Sequence, residues 1–232
     1  MTQLLIWGTG GVASHLLGIL AGGASRAYHK IGFLHDQPTP REVPLPYPVL
    51  GSRRLLESCD PENTHVFPAA STPAVRKAMA LHLRAGGFYT PSFIDPGAIV
   101  RPGAQLGQGC LIEAFAFVDA TAVLGEHVLV GLHASVSHDS RIGDYCSLYS
   151  GSRVLGFCQL EEGCLLGSNA CLHPNTRMHC WSKAGMLTAV YHDVPAYSTV
   201  SGIPARVIQQ YQGPQPAGLY PLEPDRQPPK ES

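Results

Sequence analysis

Apolar residues recur at every sixth position between Ile94 and Val190. Fifteen of these 17 positions carry Ile, Val or Leu, although only 51 of the 232 residues in the chain do, so the period is not a chance pattern. The fourth residue after most of them is small; these residues are Ala98, Ala104, Cys110, Ala116, Ala122, Ala134, Ser140, Cys146, Ser152, Cys158, Cys164 and Ala170. A period of six fits neither an α-helix nor a lone strand, and it predicts a hexapeptide-repeat β-helix.

The two repeating positions have different expected places in such a coil. Large aliphatic side chains are expected to stack along the inside of each flat face, and small ones to fit the tight corners. Glycine directly follows several aliphatic residues, and we expect these glycines to adopt a positive φ or to stand in crowded turns. They are Gly107, Gly125, Gly131, Gly143, Gly167 and Gly185.

The start of the chain is typical of a strand, a glycine turn and a helix. An apolar run from Leu4 to Trp7 ends at the turn Gly8-Thr-Gly-Gly11, and Val12 to Leu20 carries apolar residues at helical spacing. Such glycines let the backbone approach a phosphate or a sugar, and the helix N-terminus favours an anion. Because Ala13 stands where a third glycine would strengthen the motif, the motif alone indicates a structural turn as readily as a nucleotide site.

Two more strands and a second helix are predicted before the repeat. Lys30 to Asp36 is a strand pattern with an acidic residue at its carboxyl end, which faces the ligand crevice in open α/β sheets. His65 to Ser71 predicts a third strand, and Pro73 can begin the helix predicted for Ala74 to Arg84. Residues 1–90 are therefore predicted to form a small Rossmann-like βαβ domain, too short for a full dinucleotide fold.

The rest of the chain divides into the repeat and a tail. The period ends at Val190, and the sequence then closes with Asp193-Val-Pro195 and Gly202-Ile-Pro-Ala-Arg206. We predict a β-helix domain over residues 91–208. Residues 209–232 are rich in proline and have little apolar periodicity, so they predict a loose C-terminal tail.

Charge and hydropathy exclude two classes of partner. The net charge is −1 and no basic cluster is present, which argues against nucleic acid. No apolar run approaches the length that spans a membrane, and the first residues lack the charged segment of a signal peptide. The seven cysteines form no Cys-x-x-Cys pair, and Cys110, Cys146, Cys158 and Cys164 occupy the small repeat position. Reduced core thiols are therefore favoured over disulfides or zinc, and a cytoplasmic protein is expected.

The sequence as a whole resembles the hexapeptide acyltransferases, and within them the sugar acetyltransferases related to PglD and NeuD of bacterial glycan synthesis. The motifs that carry the resemblance lie within residues 3–208; they are Gly8-Thr-Gly-Gly11, Gly32-Phe-Leu-His-Asp36, Pro48-Val-Leu-Gly51, the array with Ser137-His-Asp139, Asp193-Val-Pro195 and Gly202-Ile-Pro-Ala-Arg206. The resemblance implies an α/β N-terminal domain followed by a left-handed parallel β-helix. It also implies a homotrimer with acetyl-CoA bound between neighbouring β-helices.

Acetyl transfer from a thioester to an amine needs a base for the amine proton and a donor for the developing oxyanion. His138 is the best candidate base, because an unperturbed imidazole titrates near neutrality. The family motif has an acidic residue after this histidine, and Asp139 occupies that place. Since adjacent strand residues point apart, coupling between the two side chains requires a corner there. By periodicity alone, His138 is more simply interpreted as a solvent-facing repeat residue.

The resemblance also assigns binding residues. It implies that Ser147, Gly156, Ser168 and Met186 contact acetyl-CoA, with the Gly156 N–H facing the acetyl carbonyl. Close relatives can carry histidine in place of Ser147, so one hydrogen bond to the cofactor is expected to be weakened. Residues that match the nucleotide-sugar site are Gly8, Gly10, Gly11, Asp36, Ala70 and Ser71.

A metal site is the weaker interpretation of the histidines in the array. His133 and His138 have the spacing of two zinc ligands in γ-type carbonic anhydrases, which share the β-helix. The third ligand is expected near residue 97, and residues 94–104 contain no histidine. We therefore expect no metal cofactor.

The leading functional hypothesis is an acetyl-CoA-dependent N-acetyltransferase that acts on a nucleotide-linked amino sugar, with a 4-amino group as the expected acceptor. An O-acetyltransferase of sialic acid-type sugars is the first alternative. A non-catalytic scaffold that binds nucleotide sugars is a second, from a different class. A sugar nucleotidyltransferase is disfavoured, because the roughly 90 residues before the repeat are too few for its catalytic domain.

Overall fold

A computed structural model describes residues 2–36 and 45–212 of the chain. Its N-terminal part contains a parallel sheet of four strands in the order β3-β2-β1-β4. The strands are β1 (Gln3–Trp7), β2 (Lys30–Leu34), β3 (Val49–Gly51) and β4 (Thr64–Pro68). Strands β1, β2 and β4 match the predicted ones, whereas the short edge strand β3 lies in a motif quoted above without a predicted structure. The Rossmann-like fold class is thereby confirmed.

Two helices accompany this sheet, α1 (Gly11–Ala21) and α2 (Pro73–Ala85). Proline at the first position of α2 costs no hydrogen bond, because the first N–H groups of a helix have no intrahelical partner. Three short 3₁₀ turns lie at Ala24–Ala27, Arg53–Ser58 and Pro61–Asn63. In the part of the chain that the structure describes, no helix has the length and apolarity to cross a membrane.

The repeat forms three parallel sheets, which we call faces 1, 2 and 3 of a left-handed β-helix. Face 1 comprises Phe93–Ile94, Leu111–Ile112, Leu129–Val130, Ser147–Leu148, Leu165–Leu166, Lys183–Ala184 and Ser198–Ser201. Face 2 comprises Ile99–Val100, Phe117–Val118, Ser135–Val136, Arg153–Val154, Cys171–Leu172 and Ala189–Val190. Face 3 comprises Gln105–Leu106, Val123–Leu124, Arg141–Ile142, Gln159–Leu160 and Arg177–Met178. Paired residues lie 18 apart, so three hexapeptides complete one coil.

Three corners join these faces, and each is a column of four-residue turns. The first corner lies between faces 1 and 2 and contains residues 113–116, 131–134, 149–152, 167–170 and 185–188. The second corner lies between faces 2 and 3 and contains residues 119–122, 137–140, 155–158 and 173–176. The third corner lies between faces 3 and 1 and contains residues 107–110, 125–128, 143–146, 161–164 and 179–182.

The interior has the composition that the repeat predicts. The aliphatic residues from Ile112 to Val190 that carry the period are buried, as are the small residues at the corners from Cys110 onward. Cys110, Cys146, Cys158 and Cys164 are free thiols in this core. Burial raises the pKa of Cys110 to about 11, so its thiol stays protonated and behaves as a small apolar group.

Of the two conformational reasons expected for the corner glycines, the structure shows crowding and not a positive φ. The glycines that directly follow the aliphatic residues do not have a positive φ; a Cβ on Gly107 would lie 2.6 Å from the backbone of Gly125 in the next coil. Crowding between coils is therefore the reason for glycine there. The left-handed conformation occurs two residues later, mostly at residues other than glycine; these include Phe115, His127, His133, Asp139, Tyr145, Phe157 and Leu187.

The N-terminal part packs against face 1. Outward-pointing Phe93, Leu111 and Leu129 are buried in one cluster with Leu16 and Leu20 of α1. Full burial of such side chains contributes about 1.5–3 kcal/mol each, so this apolar contact fixes the N-terminal part on the β-helix.

The end of the chain changes the predicted boundary of the tail. Ser198–Ser201 pairs antiparallel with a last strand, Arg206–Gln210, which continues past residue 208. The predicted tail from residue 209 is therefore wrong for its first residues, because their backbone completes this hairpin. Residues 213–232 of that tail lie outside the described residues.

Candidate active site

His138 and Asp139 form a pair at the second corner. Asp139 has a φ of 57°, in the left-handed region, and this turn brings two adjacent side chains to one side of the backbone. The His138 Nδ1 atom lies 3.0 Å from Asp139 Oδ2. The corner that coupling between these residues requires is therefore present.

The hydrogen bonds around the pair determine which imidazole nitrogen is free. An ionised carboxylate can only accept, so Nδ1–H of His138 donates to Asp139 and Nε2 is left as an acceptor. The backbone N–H of Asp139 donates to Thr121 Oγ1 in the coil before, at 2.8 Å. About half of each side chain is exposed, so Nε2 can meet a substrate from outside the β-helix.

Gly156 lies under the His138 ring in the next coil. A Cβ atom on Gly156 would stand 2.5 Å from Cε1 and 2.6 Å from Nε2 of His138. Gly156 is the only glycine among the residues that stand two places after a repeat aliphatic, and its φ is not positive. The backbone does not demand glycine there, so its absence of a side chain makes room for the imidazole.

The backbone of Gly156 suits the oxyanion role that the resemblance assigns to it. Within residues 2–36 and 45–212, its N–H donates no hydrogen bond to the protein. The neighbouring Phe157 contacts the His138 ring edge-on, with ring centroids 5.1 Å apart. One corner thus combines the free Nε2 of His138, an N–H donor without a partner among the described residues and an apolar wall.

The remaining residues matched to acetyl-CoA lie elsewhere. Ser168 and Met186 stand in successive turns of the first corner, so face 2 separates them from His138. Met186 is 72% exposed. Of the residues that the resemblance assigns to acetyl-CoA, Gly156, Ser168 and Met186 therefore stand in the two corner columns that border face 2.

Ser147 is placed differently from the expectation. It is fully buried on face 1 beneath the N-terminal part. Its hydroxyl donates to the Ser71 carbonyl at 2.9 Å and accepts from Arg76 Nη2 at 2.9 Å. A side chain without an exposed atom cannot reach a molecule on the surface, so the predicted cofactor contact at Ser147 is corrected to a contact between the two parts of the chain.

The residues matched to a nucleotide sugar meet at the carboxyl edge of the N-terminal sheet. Gly8 has a φ of 113°, and a Cβ there would lie 2.8 Å from the Ala69 carbonyl oxygen, so only glycine fits between β1 and β4. Gly10 precedes α1, and neither Gly10 nor Gly11 has a neighbour within 4 Å of a Cβ position. This open turn at a helix N-terminus is suited to a phosphate.

Asp36 is engaged by the protein in addition to its predicted ligand role. Its carboxylate accepts from the Trp7 indole at 3.0 Å and from the Arg53 backbone N–H at 2.9 Å. Only its remaining lone pairs are open to a ligand. The Arg53 guanidinium is 3.8 Å from the same carboxylate, and sequence reasoning missed it because it follows the unpredicted strand β3.

The N-terminal part of the chain does not face the His138 corner. Its helices contact the first corner through His15 and Glu113, at 2.6 Å, and the third corner through Arg84 and Glu126. His138 lies on the second corner, which is opposite face 1 in a triangular coil. One chain therefore holds the two groups of predicted site residues on opposite sides.

His133 belongs to an aromatic stack. Its ring lies parallel to that of Phe115 in the coil before, with centroids 4.9 Å apart. Among the described residues, no group of three or more His, Cys, Asp or Glu side chains is arranged to hold a metal ion.

His127 lies where α2 packs on the third corner, and it makes the stability of the folded chain depend on pH. Its ring is buried, stacked on Tyr145, and burial together with the charges of Arg76 and Arg84 lowers its pKa to about 4. Below about pH 6.5 His127 is protonated in the unfolded chain but remains neutral in the folded chain. The free energy of unfolding therefore falls between about pH 6.5 and pH 4. We expect this group to contribute a loss of up to about 3 kcal/mol, measured as the free energy of urea unfolding at pH 7 and pH 4.5.

The variants His127→Phe and His133→Phe isolate this effect. Phe115 and Phe157 show that the left-handed corner position accepts phenylalanine. The His127 variant is expected to lose less stability on acidification than the wild type. The variant at the exposed His133 should lose as much stability as the wild type. If the free energy of unfolding falls equally with pH in all three proteins, His127 binds its proton in the folded state as well.

A parallel β-helix with a histidine–carboxylate pair on one corner, joined to a Rossmann-like sheet, defines the class of hexapeptide-repeat acyltransferases. Residues 3–83 match the family model of the PglD N-terminal domain. The acetyltransferase domain of PglB from Neisseria gonorrhoeae FA1090 is 32% identical, with a TM-score of 0.82 over 90% of this chain and 100% of that one. The chain belongs to the PglD-type hexapeptide acetyltransferase family.

Further relatives agree with this assignment. The same Neisseria domain in complex with acetyl coenzyme A is 30% identical, with a TM-score of 0.81 over 89% of this chain and 98% of that one. PerB from Caulobacter crescentus, solved with CoA and GDP-perosamine, is 24% identical, with a TM-score of 0.82 over 90% of this chain and 98% of that one. This likeness shows the shared fold.

A curated relative is the acyl-[acyl-carrier-protein]–UDP-N-acetylglucosamine O-acyltransferase of Pseudomonas paraeruginosa. It is 31% identical over 107 residues, which are 46% of this chain and 40% of that protein. The chain thus spans about two fifths of the length of the curated relatives it matches.

Proposed function

We propose that the protein transfers the acetyl group of acetyl-CoA to the amino group of a nucleotide-linked amino sugar, with a 4-amino sugar as the acceptor. The observation that carries the proposal is the second corner, where His138, Asp139 and the free N–H of Gly156 lie together. Membership of the PglD-type family supports the acceptor class. The related Neisseria domain that was solved with acetyl coenzyme A supports the donor.

In this mechanism Nε2 of His138 takes a proton from the acceptor amine as its nitrogen attacks the thioester carbonyl. Asp139 holds the Nδ1–H and stabilises the imidazolium that forms. The Gly156 N–H donates to the oxyanion of the tetrahedral intermediate. When the C–S bond breaks, the imidazolium returns its proton to the leaving thiolate, so the products are the amide and CoA.

The nucleotide-sugar site is proposed at the carboxyl edge of the N-terminal sheet. Gly8, Gly10 and Gly11 offer an open backbone to the phosphates at the start of α1. Asp36 and the segment Ala70–Ser71 flank this turn at the ends of the neighbouring strands β2 and β4.

A homotrimer completes the site in this proposal. Within one chain, the N-terminal part covers face 1 and His138 stands on the opposite corner. Exposed apolar side chains gather at the corners that border face 2; they are Phe115, Leu132, Met186 and Leu187 at the first corner and Phe157 at the second. Packing of neighbouring chains there would bury these side chains and bring Ser168 and Met186 of one copy beside His138 of another.

The test is an acetylation assay with acetyl-CoA and UDP-, GDP- and dTDP-linked 4-amino sugars. We expect one of these acceptors to be acetylated at its amine and the matching 4-hydroxy sugar to be inert. Turnover of the alcohol instead would establish O-acetylation; the Pseudomonas relative is named as an O-acyltransferase. Calorimetry distinguishes either acetyltransferase from a non-catalytic scaffold, because the scaffold would bind the nucleotide sugar but not acetyl-CoA.

A further inference from the structure

Arg76 on α2 is the largest fully buried side chain of the described residues. It has no carboxylate partner there, and every nitrogen of its guanidinium donates to a neutral acceptor. Burial lowers its pKa to about 10, so the group stays charged at neutral pH. A buried cation that is held only by carbonyl and hydroxyl oxygens is costly, which points to a role beyond attachment.

The acceptors of Arg76 lie on both parts of the chain. Nη1 donates to the carbonyls of Ala70 at 2.7 Å and Ser71 at 3.1 Å. On the β-helix, Nε donates to the His127 carbonyl at 2.9 Å, and Nη2 donates to the Tyr145 carbonyl at 2.7 Å. The segment Ala70–Ser71 is thereby held by the β-helix as well as by its own sheet.

The two carbonyls fix the direction of the peptide groups in this segment. In a trans peptide the N–H points opposite the C=O, so the N–H groups of Ser71 and Thr72 face away from Arg76. Throughout the described part of the chain, neither of these N–H groups finds an acceptor. Ala69, which directly precedes this segment, packs against Gly8, so the segment starts beside the Gly8 turn.

We propose that Arg76 is a positioning residue that sets the Ala70–Ser71 segment for recognition of the nucleotide sugar, an inference that rests on the function proposed above. Nη1 of Arg76 donates to both carbonyls of the segment, while Nε and Nη2 are anchored on carbonyls of the β-helix. The Ser147 hydroxyl donates to the Ser71 carbonyl as a second link. The N–H groups turned outward are then the donors for polar atoms of the nucleotide sugar.

Kinetics of Arg76→Lys and Ser147→Ala test this role. Lysine keeps the charge but loses the planar fork, so we expect the KM for the nucleotide sugar to rise about tenfold or more. Removal of the Ser147 hydroxyl leaves Arg76 in place, and a rise of about threefold is expected. The KM for acetyl-CoA should change less than about twofold in both, because the proposed cofactor contacts lie on other corners.

Lys77→Gln and Arg84→Gln are the matched controls. Both cations belong to α2 and pair with acids of the third corner, Glu162 and Glu126, but neither touches Ala70 or Ser71. These variants should lose stability in a thermal melt without a change in the KM for the nucleotide sugar. That split distinguishes a positioning residue from one that only attaches the two parts.

An unchanged KM for the nucleotide sugar in folded Ser147→Ala and Arg76→Lys would overturn the inference, as would equal increases for both substrates. Calorimetric titration of the same proteins with the nucleotide sugar keeps the inference separate from the proposed function. If the wild type binds the sugar but does not acetylate it, the proposed function fails. Weaker binding by the variants would still support the role of Arg76, and equal binding would reject it.

Discussion

Replacement of His138 by Asn is expected to lower kcat by about three orders of magnitude, because Nε2 is the proposed acceptor of the amine proton. Asparagine fills a similar space and can still donate to Asp139, so the corner should keep its shape. Binding of acetyl-CoA and of the nucleotide sugar should change little. The measurement is steady-state kinetics with the 4-amino sugar that the wild type uses, with thermal melts to confirm the fold.

The repeat supplies a matched control for this variant in His192. His192-Asp193 repeats the dipeptide His138-Asp139 at the same phase of the hexapeptide. There, however, the Asp193 carboxylate accepts from the Arg177 backbone N–H at 2.8 Å. His192→Asn should therefore retain wild-type activity. Retained activity in His138→Asn, or an equal loss in both variants, would remove His138 from the reaction.

Gly156→Ala is expected to lower kcat by about one to two orders of magnitude with little effect on the fold. The added methyl group would stand 2.5 Å from Cε1 of His138, so the half-exposed ring must swing away from its place beside Asp139. Alanine already occupies the same corner position at Ala114 and Ala120, so the backbone itself accepts the change.

A double variant decides whether Gly156 acts through the imidazole. If it does, adding Gly156→Ala to His138→Asn should reduce kcat only slightly further, because the displaced group is already gone. Losses that multiply would instead show that the methyl group disturbs catalysis by a route other than the imidazole, because alanine keeps the backbone N–H. Ser150→Ala, at the same phase of the repeat on the first corner, is the control and should behave as the wild type.

The sequence predicts most of the β-helix because its period fixes whether each side chain points inward or outward. The burial of Ile112 to Val190 follows from that phase, whereas the corner at His138-Asp139 was only a requirement for coupling, which the structure meets. The period does not say what covers an outward residue. Ser147 and Leu129 point out of face 1 at equivalent places, and both are buried only because the N-terminal part packs there. The assignment of Ser147 to the cofactor failed for this reason.

Arg76 and the corner conformations were beyond the sequence for related reasons. Arg76 lies in an ordinary amphipathic helix, and nothing in its local pattern distinguishes it from Arg84, which is exposed. A positive φ or crowding was expected at glycines, whereas the left-handed conformation occurs at Asp139 and its equivalents, where the sequence pattern did not predict it. Both features depend on contacts between segments far apart in the chain.

The pairing of residues 18 apart has a consequence for how such a molecule can change in length. Each coil repeats the geometry of the preceding coil. Insertion of a whole coil after Val190 would therefore lengthen the β-helix and leave the orientation of all preceding coils unchanged. His138, Gly156 and the attachment of the N-terminal part would keep their angular positions. An insertion of six residues would instead move every later residue to the next face or corner of the coil. Length variation at this end is therefore expected to come in whole coils of 18 residues.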